Sequence, residues 1–150
     1  MRGFHFGQIR KIEKGTTGDY VLYIQCAWRL EDPNGIVTGR SDLWEPAEID
    51  PDMDWDNWDY EKNENLQDKQ IGLLLGSYDP QARSYVNEND RLVVEEVYAD
   101  AYGGATIVLT GGYRLVIFPA GSRGEDWRIF RSATNEPHFV IAGGKIDQDT

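Results

Sequence analysis

The chain has 150 residues, 40% hydrophobic and 27% charged, with 26 acidic against 15 basic side chains and a formal net charge of -11. That mix excludes a disordered chain, and the length is enough for one domain, residues 1–150, with a real core. The charge repels phosphate backbones, which argues against nucleic acid as a partner.

A single cysteine rules out an internal disulfide framework and suits a reducing compartment. No run reaches the length of a spanning helix, and the first residues, MRGFHFGQIRKIEKG, lack the apolar core of a signal peptide. The expected location is the cytoplasm, with no membrane partner.

In chain order, Met1 to Ile12 alternates weakly through Phe4, Phe6, Ile9 and Ile12, a short strand with a bulge expected at Gly7. Glu13 to Gly18 is a turn. From Tyr20 to Leu30 the even positions Tyr20, Leu22, Ile24, Cys26, Trp28 and Leu30 are all apolar or largely so, which predicts one long strand with a core face. Cys26 on that face reads as a small buried hydrophobe. A nucleophile would need a helix N-terminus or a basic neighbour to lower its pKa, and the sequence supplies neither. Asp32-Pro33-Asn34-Gly35 turns the chain, and Ile36 to Leu43 resumes in extended form, closing a hairpin that ends at Trp44.

Residues 45–65 form the longest loop. Glu45 to Gln70 holds ten acidic and two basic residues, most of the chain's excess charge. Pro46 leaves the sheet, and Trp55 and Trp58 argue against plain disorder, because large rings find something to pack on. Asn65 then caps a helix, Leu66 to Leu75, with Leu66, Gln70, Leu73 and Leu74 on its inner face and Gly76 ending it. Ser77 to Pro80 is a breaker, Ala82 to Asn87 a strand or helical turn, and Asn87 to Asp90 a turn. Beyond Arg91 a meander runs Leu92–Ala101, Ala105–Thr110 and Tyr113–Phe118 across two diglycine turns, with both faces of the later strands covered. Trp127–Phe130 is a short strand or half-turn, and His138–Ile141 is a last strand before Gly143-Gly144. The expected fold class is α+β: a mostly antiparallel, curved sheet with one main helix packed on it.

Asp50, Asp52, Asp54 and Asp56 are spaced by two, with Asp59 beyond, and alternating carboxylates in a turning loop can wrap a hard cation. Glu61 stands twelfth from Asp50, but Trp55 holds the sixth position, where the sharp turn needs glycine; no metal ligand is assigned. The glycine pairs lack the spacing of a phosphate cradle, and no nucleophile elbow or fixed triad exists, so no catalytic residue and no cofactor are assigned. Aromatic anchors ringed by charge are what a protein interface uses. Asp52, Asp54, Trp55, Asp56 and Trp58 are therefore the candidate contact surface for a basic protein, with homodimerisation also open. The alternative is that both tryptophans tuck into the sheet and hold the loop down. Arg29 and Arg40, opposite or diagonal in the hairpin, complete the candidate set: one of them is expected to pair with a carboxylate of Glu45–Asp59 and tether the loop.

Phe6-Gly7, LYIQCAWRL at Leu22 to Leu30, IVTGRSDLW at Ile36 to Trp44 and Asp54-Trp55-Asp56 resemble a family of small uncharacterised bacterial proteins. NLQDK at Asn65 to Lys69, EDWRIF at Glu125 to Phe130 and HFVIAGGKI at His138 to Ile146 extend the resemblance over nearly the whole chain. It implies a single cytosolic domain and no established reaction. Some small orphan domains of this kind lie beside toxin genes, which adds immunity as a candidate role. Relatives carry a short apolar segment ahead of Met1, so the first strand here is expected to be shortened or the start internal.

Three readings follow: a non-enzymatic protein-binding or neutralising domain, a ligand-binding or enzymatic domain with a pocket beside the sheet, and a structural domain. A deep pocket lined by Arg29, Arg40, Arg128 or His138 would favour the second, and an acidic patch with exposed aromatics the first.

Overall fold

The computed structural model describes residues 1–13, 15–76, 78–79, 84–85 and 92–147. Its strands are β1 (Arg2–Phe6), β2 (Arg10–Ile12), β3 (Gly15–Thr17), β4 (Tyr20–Ile24), β5 (Ala27–Asp32) and β6 (Gly35–Gly39). A 3-10 turn, Arg40–Trp44, and the helix α1 (Leu66–Leu75) follow, then β7 (Tyr78–Asp79) and β8 (Ser84–Tyr85). The remaining strands are β9 (Val94–Ala99), β10 (Ala105–Leu109), β11 (Tyr113–Phe118), β12 (Glu125–Arg131), β13 (Phe139–Ala142) and β14 (Lys145–Ile146). The fold is α+β and mostly antiparallel, with one main helix, and the longer strands divide between two five-stranded sheets, β1-β4-β12-β13-β14 and β6-β5-β11-β10-β9.

Chain contacts group the residues into two compact units, one made of 1–28, 96–107 and 116–150, the other of 29–95 and 108–115. The first holds eight basic and nine acidic residues, the second seven and seventeen. The protein's negative charge is therefore almost wholly a property of the second unit.

In the first unit, β4 lies between β1 and β12, and every neighbouring pair of that sheet is antiparallel. Successive strand residues face opposite sides. Val21 and Leu22, and likewise Val140 and Ile141, are all buried, so this sheet is covered on both faces at its middle. A fully buried side chain such as Leu22 contributes about 1.5–3 kcal/mol.

The long strand expected from Tyr20 to Leu30 is instead two strands. The amides of Gln25 and Cys26 both donate to the Asp126 carbonyl, at 2.8 and 3.1 Å. Two residues against one carbonyl form a bulge, and the chain leaves one sheet there and enters the other as β5. Asp126 lies where the β12–β13 register shifts, and its carboxylate accepts the Gly144 amide at 2.8 Å. The expected burial alternation survives on either side, with Leu22, Ile24, Trp28 and Leu30 in the core, but Cys26 sits in the bulge, half-buried.

The single strand expected from Met1 to Ile12 is instead two strands in different sheets, β3 pairs with β2 where a turn was expected at residues 13–18, and the chain leaves β1 at Gly7. Its φ is 82°, and a Cβ there would lie 2.5 Å from Asp19 Oδ2, so both the backbone and the space require glycine. The hairpin of β5 and β6 turns through Pro33 and Asn34, with Asp32 Oδ1 accepting the amides of Asn34 and Gly35.

The extended run expected to reach Leu43 stops at Gly39. Thr38, 0% exposed, donates its hydroxyl to Asp42 Oδ2 at 2.9 Å, and residues 40–44 wind into the 3-10 turn. The helix has the expected ends but not the expected face. Gln67 and Ile71 are buried, while Leu73 is 75% exposed. Gln67 faces inward, where its amide donates to the Gly39 carbonyl at 3.0 Å and the Arg40 carbonyl at 3.4 Å, tying the helix to the start of the 3-10 turn.

The meander matches expectation in its strands. Ile107, Leu109, Leu115 and Ile117 are buried and Val108 and Val116 half-buried, whereas β9 is exposed along its length. β12 runs from Glu125 to Arg131, longer than the short strand expected at Trp127–Phe130. Of the breaker at residues 77–80 and the segment 82–87, only the antiparallel pair β7–β8 is described; the turn expected at 87–90 lies outside the described residues.

Candidate functional site: the acidic loop and its aromatic groove

The acidic loop is closed at its neck. Pro46 bridges Asn65 in antiparallel fashion, the Leu66 amide donates to the Glu45 carbonyl at 2.7 Å, and the Ala47 amide to the Glu64 carbonyl at 3.0 Å. Within the neck the aspartates serve as turn formers. Asp50 Oδ1 accepts the Asp52 amide at 2.9 Å, Asp54 Oδ2 the Asn57 side chain at 2.6 Å, and Asp59 Oδ1 the Glu61 amide at 2.8 Å. Short polar side chains compete for nearby backbone donors in this way, which gives a loop without regular structure a defined course. Among the described residues, no group of three or more His, Cys, Asp or Glu side chains is placed to hold a metal ion.

An open groove of about 570 Å³ lies between the 3-10 turn and this loop, lined by Trp44, Asp56, Asn57, Trp58, Asp59 and Tyr60. Trp44 is 51% exposed and Tyr60 37%, while Trp58 is half-buried. Asn65, 1% exposed, fixes the loop side: its amide donates to the Tyr60 carbonyl at 3.3 Å and its Oδ1 accepts the Asp68 amide at 2.8 Å. The Thr38–Asp42 and Gln67–Gly39 bonds hold the Trp44 side. The Tyr60 hydroxyl has a pKa above its ordinary value, first through the negative charge of Glu61, then its hydrogen bond to that carboxylate, slight desolvation and the charge of Asp59.

The expected site residues separate. Asp56 and Trp58 line the groove; Asp52, Asp54 and Trp55 lie outside it, with Trp55 56% exposed. Neither tryptophan of the loop belongs to the buried core. The expected tether is not formed by either arginine. Arg29 Nε pairs with Glu31 on its own strand at 2.7 Å, two residues away on the same face. Arg40 lies over the Trp44 ring, 5.9 Å from its centroid. Among the described residues, the loop carboxylate that does meet a cation is Glu48, and its partner is Lys69 of α1. Trp44, Asp59 and Tyr60 were not expected in the site. Trp44 was hidden because residues 36–43 were expected to run extended to the hairpin's end, whereas Arg40–Trp44 winds into a 3-10 turn.

On the first unit's sheet, Arg128 Nη1 lies 3.1 Å from His138 Nδ1, Arg128 Nε donates to Glu125 at 2.7 Å, and His138 stacks on Phe130 at 4.2 Å. Gln25 also donates to Glu125. Each polar group here faces another of the set, which makes the cluster a cross-strand clip between β12 and the segment entering β13.

No family model, curated protein or solved structure matches the chain. Among the described residues, no helix is long and apolar enough to cross a membrane.

Proposed function

We propose that this chain is a non-enzymatic, cytoplasmic protein-binding domain that engages a basic protein through the loop 45–65. The observation that carries the reading is the loop itself: residues 45–65 hold nine of the seventeen acidic side chains of their unit, the loop's neck is closed, and Trp55 and Tyr60 are exposed on it. Dense like charge disfavours the compact state and is offset when a basic surface binds. Carboxylates steer the encounter, and rings such as Trp55 and Trp58 supply buried area once it is made. The resemblance to small bacterial domains gives neutralisation of a basic toxin as the biological form of this binding.

The test is capture from native lysate at low and high salt with the wild type and with Asp52→Asn/Asp54→Asn/Asp56→Asn, followed by reconstitution with the purified partner. A basic protein retained by the wild type, released by salt and missed by the triple variant supports the reading. Reconstituted binding that is indifferent to the triple variant overturns it.

A further inference from the structure

Resting on that reading, we propose that the groove between Trp44 and Asp56–Tyr60 seats an arginine side chain of the basic partner, stacked on the rings and forked by the aspartates. Three aromatic residues, Trp44, Trp58 and Tyr60, line one open groove with Asp56 and Asp59. Aromatic faces attract cations through their quadrupole, and a carboxylate beside them adds a directional acceptor. Asp56 is exposed on the groove wall, so its carboxylate is accessible to a ligand.

A second observation, independent of the acids, points to the guanidinium. Arg40 already lies over one face of Trp44, with its central carbon 5.9 Å from the ring centroid, so the ring stacks a guanidinium within the chain, and a partner's arginine takes the other face or displaces Arg40. A guanidinium is planar and weakly hydrated, and can stack on a ring while its edge donates two parallel bonds to a carboxylate. An ammonium is a compact, strongly hydrated charge that gives up more water to enter such a groove. The arrangement therefore favours arginine over lysine, beyond what the unit's charge alone would select. Each side of the groove is tied by a hydrogen bond, Thr38–Asp42 on one and Asn65–Tyr60 on the other, which reduces the ordering that binding must supply.

The probes are two fluorescently labelled Gly/Ser peptides of equal length and charge, one carrying arginines and the other lysines, read by anisotropy at low and near-physiological salt. The wild type should bind the arginine peptide about three- to fivefold more tightly than the lysine peptide. Trp44→Ala and Asp56→Asn should each bring that ratio close to one, and Trp44→Phe should retain part of it. Asp52→Asn, outside the groove, should weaken both peptides alike, and Glu95→Gln on β9 should leave the ratio unchanged. Thermal midpoints of the variants confirm folding, and Trp44→Phe keeps the test valid if Trp44→Ala unfolds. Equal binding of both peptides, lost in proportion to charge removed, overturns the groove proposal and leaves the basic-partner reading standing. Binding of neither peptide overturns the groove proposal and counts against that reading as well.

Discussion

Asn65 Nδ2 donates to the Tyr60 carbonyl at 3.3 Å, so the residue that caps α1 also sets the last turn of the acidic loop. The same side chain accepts the Asp68 amide at 2.8 Å and donates to the Asp68 carboxylate at 3.0 Å. At 1% exposure Asn65 itself has no water to replace these bonds. Asn65→Ala should therefore cost roughly 2–3 kcal/mol, more than an average cap, in urea unfolding. It should also speed amide exchange over residues 59–64. Asn65→Asp keeps the shape but sets a carboxylate against Asp68, so its destabilisation should ease on acidification. A loss below about 0.5 kcal/mol for the alanine variant would mean that cap and loop are held independently.

What could be read from the sequence was what the chain decides locally. The helix ends were legible because Asn65 and Gly76 act on amides and carbonyls within four residues of themselves. The buried face was not, because Gln67 turns inward to reach the carbonyls of Gly39 and Arg40, 28 and 27 residues away. The same holds for the split between β4 and β5: its cause is the carbonyl of Asp126, about a hundred residues later, and nothing in the alternation from Tyr20 to Leu30 announces it. The acidity of the loop was plain, but the groove needed Trp44, whose place depends on Thr38 bonding Asp42 and ending β6 early.

The inner face of α1 is tested by three substitutions. Ile71 is 4% exposed, so Ile71→Ala should cost about 2–4 kcal/mol through lost burial and the cavity left behind. Gln67→Leu should cost about 1–3 kcal/mol, because it removes the two hydrogen bonds that tie the helix to the 3-10 turn and adds apolar bulk. Leu73, 75% exposed, should tolerate alanine within about 0.5 kcal/mol. Chemical denaturation of the three variants orders them; a large loss at Leu73 would mean that the helix is rotated from the face described.

Trp55 and Trp58 differ in burial and should differ in stability. Trp55→Ala, at a ring 56% exposed, should shift the unfolding free energy by no more than about 0.5 kcal/mol. Trp58→Ala removes a half-buried ring from the groove wall and should cost about 1–2 kcal/mol. The intrinsic fluorescence of Trp55 should be the more easily quenched by iodide, which the single variants isolate. Equal and large losses for both would place the two rings in the core and leave no outward aromatic surface for a partner.

His5 makes stability depend on pH. Its Nδ1 accepts the Gly18 amide at 3.1 Å, which only an imidazole unprotonated at that nitrogen can do. Burial lowers its pKa from the ordinary value of 6.5. A folded pKa below the unfolded one means that the native state binds the proton less readily. The stabilisation is therefore fully present above pH 6.5 and is lost as the pH falls through the lowered folded value. Asp19 also stands nearby, accepting the Gln8 amide at 2.9 Å and pairing with Arg10 at 3.3 Å. The difference between the wild type and His5→Gln isolates the imidazole from that background, because the variant retains every carboxylate. The gap in urea midpoint between the two should be widest near about pH 7.5 and shrink toward about pH 5. A gap that stays constant across that range would show that the proton on His5 is not coupled to folding, and that its bond to Gly18 is not what holds β1 to the turn before β4.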